Sequence, residues 1–134
     1  MAKTTTCPIT QNIKNAFAAI VNASGAVSGE SGTSVTNLVT VYTAGANDAV
    51  VKSLIVTSSD SSARTLNLYI NNGTYDYLIG AITIPANAGA ATGGTTANID
   101  YLGSQYMNGL TFDQSGKPVI PLQATYALKV GRSE

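Results

Sequence analysis

The pattern of apolar and polar positions along the chain is dominated by alternation with a period of two. Short runs of β-branched and aromatic residues alternate with polar residues and end at Gly, Asn, Asp, Ser or Pro, which is typical of half-buried β-strands. The segments with this pattern are residues 35–43, 50–58, 64–71, 75–84 and 125–130. The sequence therefore predicts a protein built mainly from short strands.

The clearest alternation runs over residues 64–71 and predicts which side chains face the core. Leu66, Leu68 and Ile70 are expected to point inward, while Tyr69 points outward with its polar neighbours. Because a strand presents successive side chains to opposite faces, this segment fits a sheet with one buried face.

The next segment predicts a hairpin partner for that strand. Asn72-Gly73 follows the strand, and Asn-Gly is a strong hairpin signal because both residues accept a positive φ. The returning strand over 75–84 is expected to place Leu78 on the same face as Ile82 and Ile84.

Later segments carry weaker strand signals. A shorter strand is predicted within 96–102, and another apolar segment lies within 108–117 before an Asp113-Gln114-Ser115-Gly116 turn. Val119 and Ile120 are flanked by two prolines, which lack the N–H that a central strand must donate. This segment is therefore expected at a sheet edge or a bulge.

The N-terminal third is compatible with two structures. Ile13, Phe17 and Ile20 fit a helical stripe, whereas Phe17, Ala19 and Val21 fit a strand equally well. We favour a strand over 13–21, because the threonine run at 4–6 leads into it, and a short helix stays open as the alternative. Residues 25–34 are interpreted as a flexible Gly/Ser connection.

Seven or eight short strands without a strong helix predict an all-β fold. With 134 residues the chain has the length of a single domain. The strand spacing favours a β-sandwich or a jelly-roll-like arrangement. We expect residues 1–33 to form an extended N-terminal arm with its connection, and residues 34–134 to form the β-sandwich domain.

The charge content argues against a nucleic-acid partner. Only 10% of the residues are charged, and seven basic residues balance seven acidic ones. So few cations cannot build the basic surface that phosphate binding requires. A net charge of zero also leaves little electrostatic resistance to association with other proteins.

The cysteine count and the first residues bear on the compartment. Cys7 is the only cysteine, so an intrachain disulfide is excluded. No apolar stretch follows Met1 that would be typical of a secretion signal, and no segment approaches the ~20 apolar residues of a membrane span. We therefore expect synthesis in a cytoplasm and no membrane association.

Candidate chemistry is sparse, and we expect a non-enzyme without a cofactor. The chain has no histidine, which excludes Ser-His-Asp and Cys-His sites and zinc sites that need imidazole. The acidic residues fall mostly in predicted turns or on outer strand faces, so a catalytic carboxylate pair is not expected. We predict no metal site, although Asp60 or Asp113 could contribute to a calcium-binding loop.

The tyrosines are the side chains that best indicate a binding surface. Tyr69, Tyr75 and Tyr77 cluster around the predicted hairpin. They could stiffen it through cross-strand pairing. Alternatively they could contact a partner subunit or a sugar, because tyrosine combines apolar area with a polar tip.

Most of the chain, from about Thr4 to Val130, resembles a group of small virion proteins of tailed bacteriophages, the capsid decoration or cement proteins. The segments that carry the resemblance are LVTVYTAGAN at 38–47, KSLIV at 52–56, RTLNLYINNG at 64–73 and the closing strand TYALKV at 125–130. The resemblance implies a β-sandwich that binds the outside of the major capsid protein lattice, often as a trimer.

The resemblance also implies a location and a mode of action. The expected function is a bacteriophage virion structural protein that binds the outer capsid surface and stabilises the shell. The expected partners are the major capsid protein and further copies of the chain, with a trimer favoured. Synthesis would take place in the host bacterial cytoplasm. The alternative is a module on a tail or fibre that recognises host surface glycan. The residues expected to contact partners are Thr4, Thr5, Thr6, Cys7, Pro8, Ile9, Tyr69, Tyr75 and Tyr77.

Overall fold

The computed structural model describes residues 14–20, 25–89, 100–102 and 110–133, and these ranges are all-β. The all-β class expected from the alternation is confirmed. No helix occurs in the described ranges. The strands are β1 (Val39–Thr43), β2 (Ala49–Val51), β3 (Arg64–Asn71), β4 (Asp76–Ile84), β5 (Thr111–Phe112), β6 (Pro118–Leu122) and β7 (Ala127–Arg132).

The strands form two antiparallel sheets of unequal size. The long sheet has four strands in the order β1-β7-β3-β4, and the short sheet has three in the order β2-β6-β5. β3 and β7 are the central strands of the long sheet and pair with each other over six residues, from Leu66 opposite Arg132 to Asn71 opposite Ala127.

One hydrophobic cluster contains side chains from both sheets. Leu68 and Leu128, from the central strands, are 0% and 1% exposed. The cluster also includes Ile82 of β4 and Ile120 and Leu122 of β6. At roughly 1.5–3 kcal/mol for each fully buried large side chain, this cluster is the main stabilising feature of the fold.

A β-bulge changes which face of β4 is buried. Leu68 pairs with Gly80 and Tyr69 pairs with Leu78, so Ile79 is an extra residue on β4. The extra residue shifts the alternation by one position. Ile82 is therefore buried as expected, whereas Leu78 is exposed, contrary to the alternation read from the sequence.

The expectation that the proline-flanked segment lies at an edge is wrong. β6 is the middle strand of the short sheet, between β2 and β5. Its neighbours are so short that β5 pairs only with residues 118 and 119, and β2 pairs only with residues 120–122. Among the described strands, each residue of β6 thus has a partner on one side only. A proline fits such a position when its nitrogen, which has no hydrogen to donate, faces the unpaired side.

Several strands are shorter than the alternation suggests. The strand expected over 50–58 is confined to Ala49–Val51, and Ile55 makes only an isolated bridge to Asp100. The strand expected over 35–43 begins at Val39, because Asn37 has a φ of 62° that interrupts extended backbone. Within 13–21, the described residues 14–20 form neither the favoured strand nor the alternative helix.

Residues 25–37, called the connection below, are hydrogen-bonded to the long sheet. The amide of Val27 donates to the carbonyl of Arg132, and residues 32 and 33 exchange backbone hydrogen bonds with Asp76 at the start of β4. The side chain of Ser31 accepts from the amide of Leu78. Residues 25–34 of this segment, which the sequence indicated as a flexible Gly/Ser connection, are thus fixed to the sheet at several points.

Candidate interaction surfaces

The large apolar side chains that are exposed in the described ranges fall into two sets. The hairpin patch consists of Tyr75, Tyr77 and Leu78 at the β3–β4 turn and the start of β4. The groove set consists of Phe17, Val50, Ile55 and Phe112, and all four line one wide concavity. None of the hairpin-patch residues lines that concavity, so the two surfaces are separate.

The hairpin patch is held by a turn whose side chains bond to its own backbone. Asn71 pairs with Asp76, so four residues, 72–75, form the loop. Asn72 Oδ1 accepts hydrogen bonds from the amides of Thr74 and Tyr75, at 3.0 and 2.9 Å. Of the two turn residues, only Gly73 has a positive φ, at 95°. The turn therefore differs from the two-residue turn that Asn-Gly indicated.

Tyr69 does not belong to this surface, which corrects its assignment as a partner contact. It lies on the face opposite to Leu68, as the alternation predicted, but it is only 4% exposed. The same face carries Lys129 and Asn71, as the strand register shows, and the connection crosses it. Alternation fixes the face of a side chain but does not show which segment covers that face.

A buried carboxylate joins the connection to the sheet beside the hairpin patch. Asp76 is 3% exposed and accepts hydrogen bonds from the amide of Val35 at 3.0 Å and from Asn71 Nδ2 at 2.7 Å. The second side chain that binds Asp76 is Lys129, whose Nζ lies 3.2 Å from Asp76 Oδ1. The sequence had placed the acidic residues in turns or on outer faces, and this buried network was not anticipated.

The surroundings of Asp76 favour its charged form. Burial by itself would raise the pKa of this carboxyl, but the hydrogen bonds from Val35, Asn71 and Lys129 outweigh that effect. The pKa of Asp76 therefore lies below its ordinary value of 3.8. A carboxylate held in this way is a structural anchor, since its oxygens are occupied by protein donors.

Other carboxylates also bond to neighbouring protein groups. Asp60 Oδ2 lies 2.7 Å from Arg64 Nε, and this contact keeps the pKa of Asp60 below its ordinary value. Asp113 Oδ1 accepts the amides of Ser115 and Lys117, which closes the turn before β6. The described ranges contain no group of three or more His, Cys, Asp or Glu that could hold a metal ion.

The groove is lined by the extended segment 14–20 and by residues of both sheets, among them Val50 and Pro121 of the short sheet and Leu66 and Leu128 of the long sheet. Val50 lies opposite Pro121 in the register, so both side chains are on the same face of the sheet. The buried Ile120 and Leu122 alternate with Pro121 along β6, and neither lines the groove. In a two-sheet protein the outer faces are normally polar, so an exposed apolar side chain here is unusual.

The structure sharpens the choice of contact residues in two ways. Tyr75 and Tyr77 are half exposed, as a contact role requires, and Leu78 joins them only because of the bulge. The expected arm contacts Thr4, Thr5, Thr6, Cys7, Pro8 and Ile9 lie outside the described residues. Sequence reasoning missed the groove set, and alternation does not identify it, because the neighbours of Val50 are half-buried and both residues of β5 are exposed.

No family model, curated protein or solved structure matches this chain. No helix long and apolar enough to cross a membrane is found in the part of the chain that the structure describes.

Proposed function

We propose that this chain is a structural protein of a bacteriophage virion, a capsid decoration or cement protein that binds the outer capsid surface and stabilises the shell. The observation that supports the proposal best is the presence of two separate exposed apolar surfaces on an all-β, net-neutral frame. A shell component needs one surface for the capsid and another for its own copies, and exposed apolar patches are typical of protein contacts.

The hairpin patch is the surface we assign to the major capsid protein. Tyr75 and Tyr77 supply apolar area with a hydroxyl at the tip, which suits a contact surface that is wet before assembly. The anchored Asp76 and the connection hold the start of β4, so these side chains are presented from a fixed position. Little ordering entropy is then lost on binding.

Stabilisation of the shell follows from mass action. A protein that binds the mature shell more tightly than other shell states shifts the equilibrium toward the mature shell by its differential affinity. No bond-making step is required, and the outer capsid surface is the location that this role implies.

The direct test is quantitative mass spectrometry of purified phage particles. We expect the chain at hundreds of copies per particle, on the order of the number of capsid subunits. A count of a few copies, or absence from particles, would contradict a shell role, and a few copies would place the chain on the tail.

A glycan-binding tail or fibre module is the second candidate, and the half exposure of Tyr75 and Tyr77 favours it. Tyrosines on a fixed hairpin can stack on sugar rings. Glycan-array binding that is lost in both Tyr75→Ala and Tyr77→Ala would support this candidate. Its absence, together with a high copy number in particles, would favour decoration.

The N-terminal arm provides a second test of the decoration role. We expect a variant that lacks residues 1–12 to fold, because the described core draws on residues from Ile20 onward. This variant should fail to bind shells if the arm reaches the capsid or neighbouring copies. Full occupancy of shells by the truncated protein would show that the arm is dispensable.

A further inference from the structure

We infer that the chain forms an internal isopeptide bond, in which the side-chain amine of Lys129 on β7 is joined to the side-chain carbonyl carbon of Asn71 on β3. Asp76 carries the protons of this reaction. The reaction is a single event within the folded chain, so it goes beyond the proposed function and can be measured without any phage particle.

The two reacting side chains meet at one oxygen of a buried carboxylate. Asp76 is 3% exposed, and its Oδ1 lies 2.7 Å from Asn71 Nδ2 and 3.2 Å from Lys129 Nζ. The other oxygen, Oδ2, accepts the amide of Val35 at 3.0 Å, which restrains the orientation of the carboxylate. An amine and a carboxamide nitrogen are thus bound to the same atom, which is the arrangement that proton transfer between them requires.

The strand register brings Lys129 within reach of Asn71. Lys129 lies directly opposite Tyr69, and Tyr69 and Asn71 are on the same face of β3. Lys129 and Asn71 are therefore diagonal neighbours on adjacent strands, a separation of about 7–8 Å that a long side chain can bridge. Tyr69 is 4% exposed and the side chain of Lys129 is 25% exposed, so little water reaches this face. Exclusion of water favours attack by the amine over hydrolysis.

A backbone amide lies where negative charge develops during the attack. The amide of Gly73 donates to Asn71 Oδ1 at 2.8 Å, from a turn in which Gly73 has a φ of 95°. When an amine attacks Cγ of a carboxamide, the carbonyl oxygen becomes negatively charged, and a backbone donor at about 2.7–3.1 Å stabilises that charge. Asn71 therefore has a proton source at its nitrogen and a hydrogen-bond donor at its oxygen.

The bond forms with loss of ammonia and needs no co-reactant. Asp76 Oδ1 takes a proton from the Lys129 ammonium, and the neutral Nζ attacks Cγ of Asn71. As the Cγ–Nδ2 bond breaks, Asp76 gives its proton to Nδ2 and takes a second proton from Nζ. The products are an amide between Lys129 Nζ and Asn71 Cγ, and ammonia, which takes the remaining proton and leaves as ammonium.

Intact-mass spectrometry of the purified, folded protein tests the inference. We expect a mass below that of the sequence by one ammonia. A chain that keeps the full sequence mass after prolonged incubation in native buffer would overturn the inference.

Lys129→Arg is the decisive variant, because arginine keeps a positive charge beside Asp76 but its guanidinium stays protonated and is not a nucleophile. This variant should fold, as measured by circular dichroism, and should keep its full sequence mass, as should Asn71→Ala. Lys117→Arg is the matched control. Lys117 is paired with Asp100, at 3.7 Å from Nζ to Oδ2, so this variant makes the same change in another ion pair and should still lose ammonia.

Peptide mapping separates the isopeptide bond from another reaction with the same mass loss. An Asn-Gly pair can cyclise to a succinimide, and the chain has two such pairs, at 72–73 and 108–109. The isopeptide bond should block trypsin cleavage after Lys129, and further digestion with chymotrypsin should give a branched peptide that joins residues 71 and 129. A mass loss that maps to residue 72 or 108, or that persists in Lys129→Arg, would overturn the inference.

The variants also separate the bond from the buried hydrogen-bond network. Asp76→Asn removes the proton carrier, so it should keep the full sequence mass as well. Lys129→Arg lacks the bond but retains the carboxylate, and it is the reference against which the stability of Asp76→Asn is compared.

Discussion

The two sheets differ in how their faces are covered. The long sheet has its core face in the hydrophobic cluster, and its other face, on which Tyr69 and Asp76 are buried, is crossed by the connection. The short sheet contributes Ile120 and Leu122 to the cluster, but Val50 on its other face stays exposed. We interpret the covered long sheet as a frame and the exposed face of the short sheet as a binding surface.

The largest expected effect is on the centre of the long sheet. Leu128→Ala removes a side chain that is 1% exposed in a central strand, and we expect a loss of about 2–5 kcal/mol in the free energy of unfolding. Val50→Ala, on the exposed face of the short sheet, should change it by less than about 0.5 kcal/mol. Urea denaturation of both variants measures the difference, and equal losses would show that the groove side is packed as tightly as the core.

A smaller loss is expected at the anchor between the connection and the long sheet. Asp76→Asn removes the charge that Val35, Asn71 and Lys129 bind, and hydrogen bonds to charged groups contribute about 1.5–3 kcal/mol. Glu30→Gln is the control, since it removes a carboxylate from an exposed residue of the connection and should be nearly neutral. An unchanged midpoint in Asp76→Asn would mean that the network adds no net stability.

The contact between the connection and β7 can be tested with a single methyl group. A Cβ on Gly131 would overlap Val27 Cγ1 and would lie 3.1 Å from the carbonyl oxygen of Asn37. Gly131→Ala should therefore cost about 1–3 kcal/mol through overpacking. Gly45 has nothing within 4 Å of such a Cβ, so Gly45→Ala should be close to neutral. Similar stabilities for the two variants would show that the connection does not lie on this face.

Acid should act on the long sheet through the same carboxylate. The pKa of Asp76 is lowered in the folded state, so its contribution is fully present above the ordinary value of 3.8 and is lost as the pH falls through the folded pKa. Asp100, whose pKa is also lowered, adds to this loss. Denaturation midpoints measured from neutral pH down to below 3.8 should fall, and the fall should be shallower in Asp76→Asn. An identical pH profile in the variant would exclude Asp76 as a contributor.

The sequence predicts the long sheet well because local signals determine it. β3 has the bounds that alternation gave, and β4 starts one residue later than expected. The exceptions have identifiable causes. The extra residue Ile79 reverses the face of Leu78, and the positive φ of Asn37 delays the start of β1. Neither a bulge nor a left-handed asparagine has a distinct signature in a single sequence.

The candidate surfaces are less predictable because they depend on coverage by distant segments. Tyr69 and Tyr77 have equivalent sequence signals, yet Tyr69 is 4% exposed and Tyr77 is 42% exposed. β6 can lie in the centre of its sheet because its neighbours β2 and β5 are short. The sequence of β6 itself does not predict the lengths of these two strands. Such features arise from tertiary structure, where propensity and pattern carry little information.

Hydrogen exchange, measured by mass spectrometry on the free chain and on the chain bound to phage particles, tests the division into frame and binding surface most directly. In the free chain we expect slow exchange over 64–71 and 127–132 and faster exchange over 49–55 and 111–112. Binding should add protection at 49–55 and at 75–78 and leave the central strands unchanged. Free protein whose residues 49–55 exchange as slowly as β7, or binding that protects neither segment, would contradict the account.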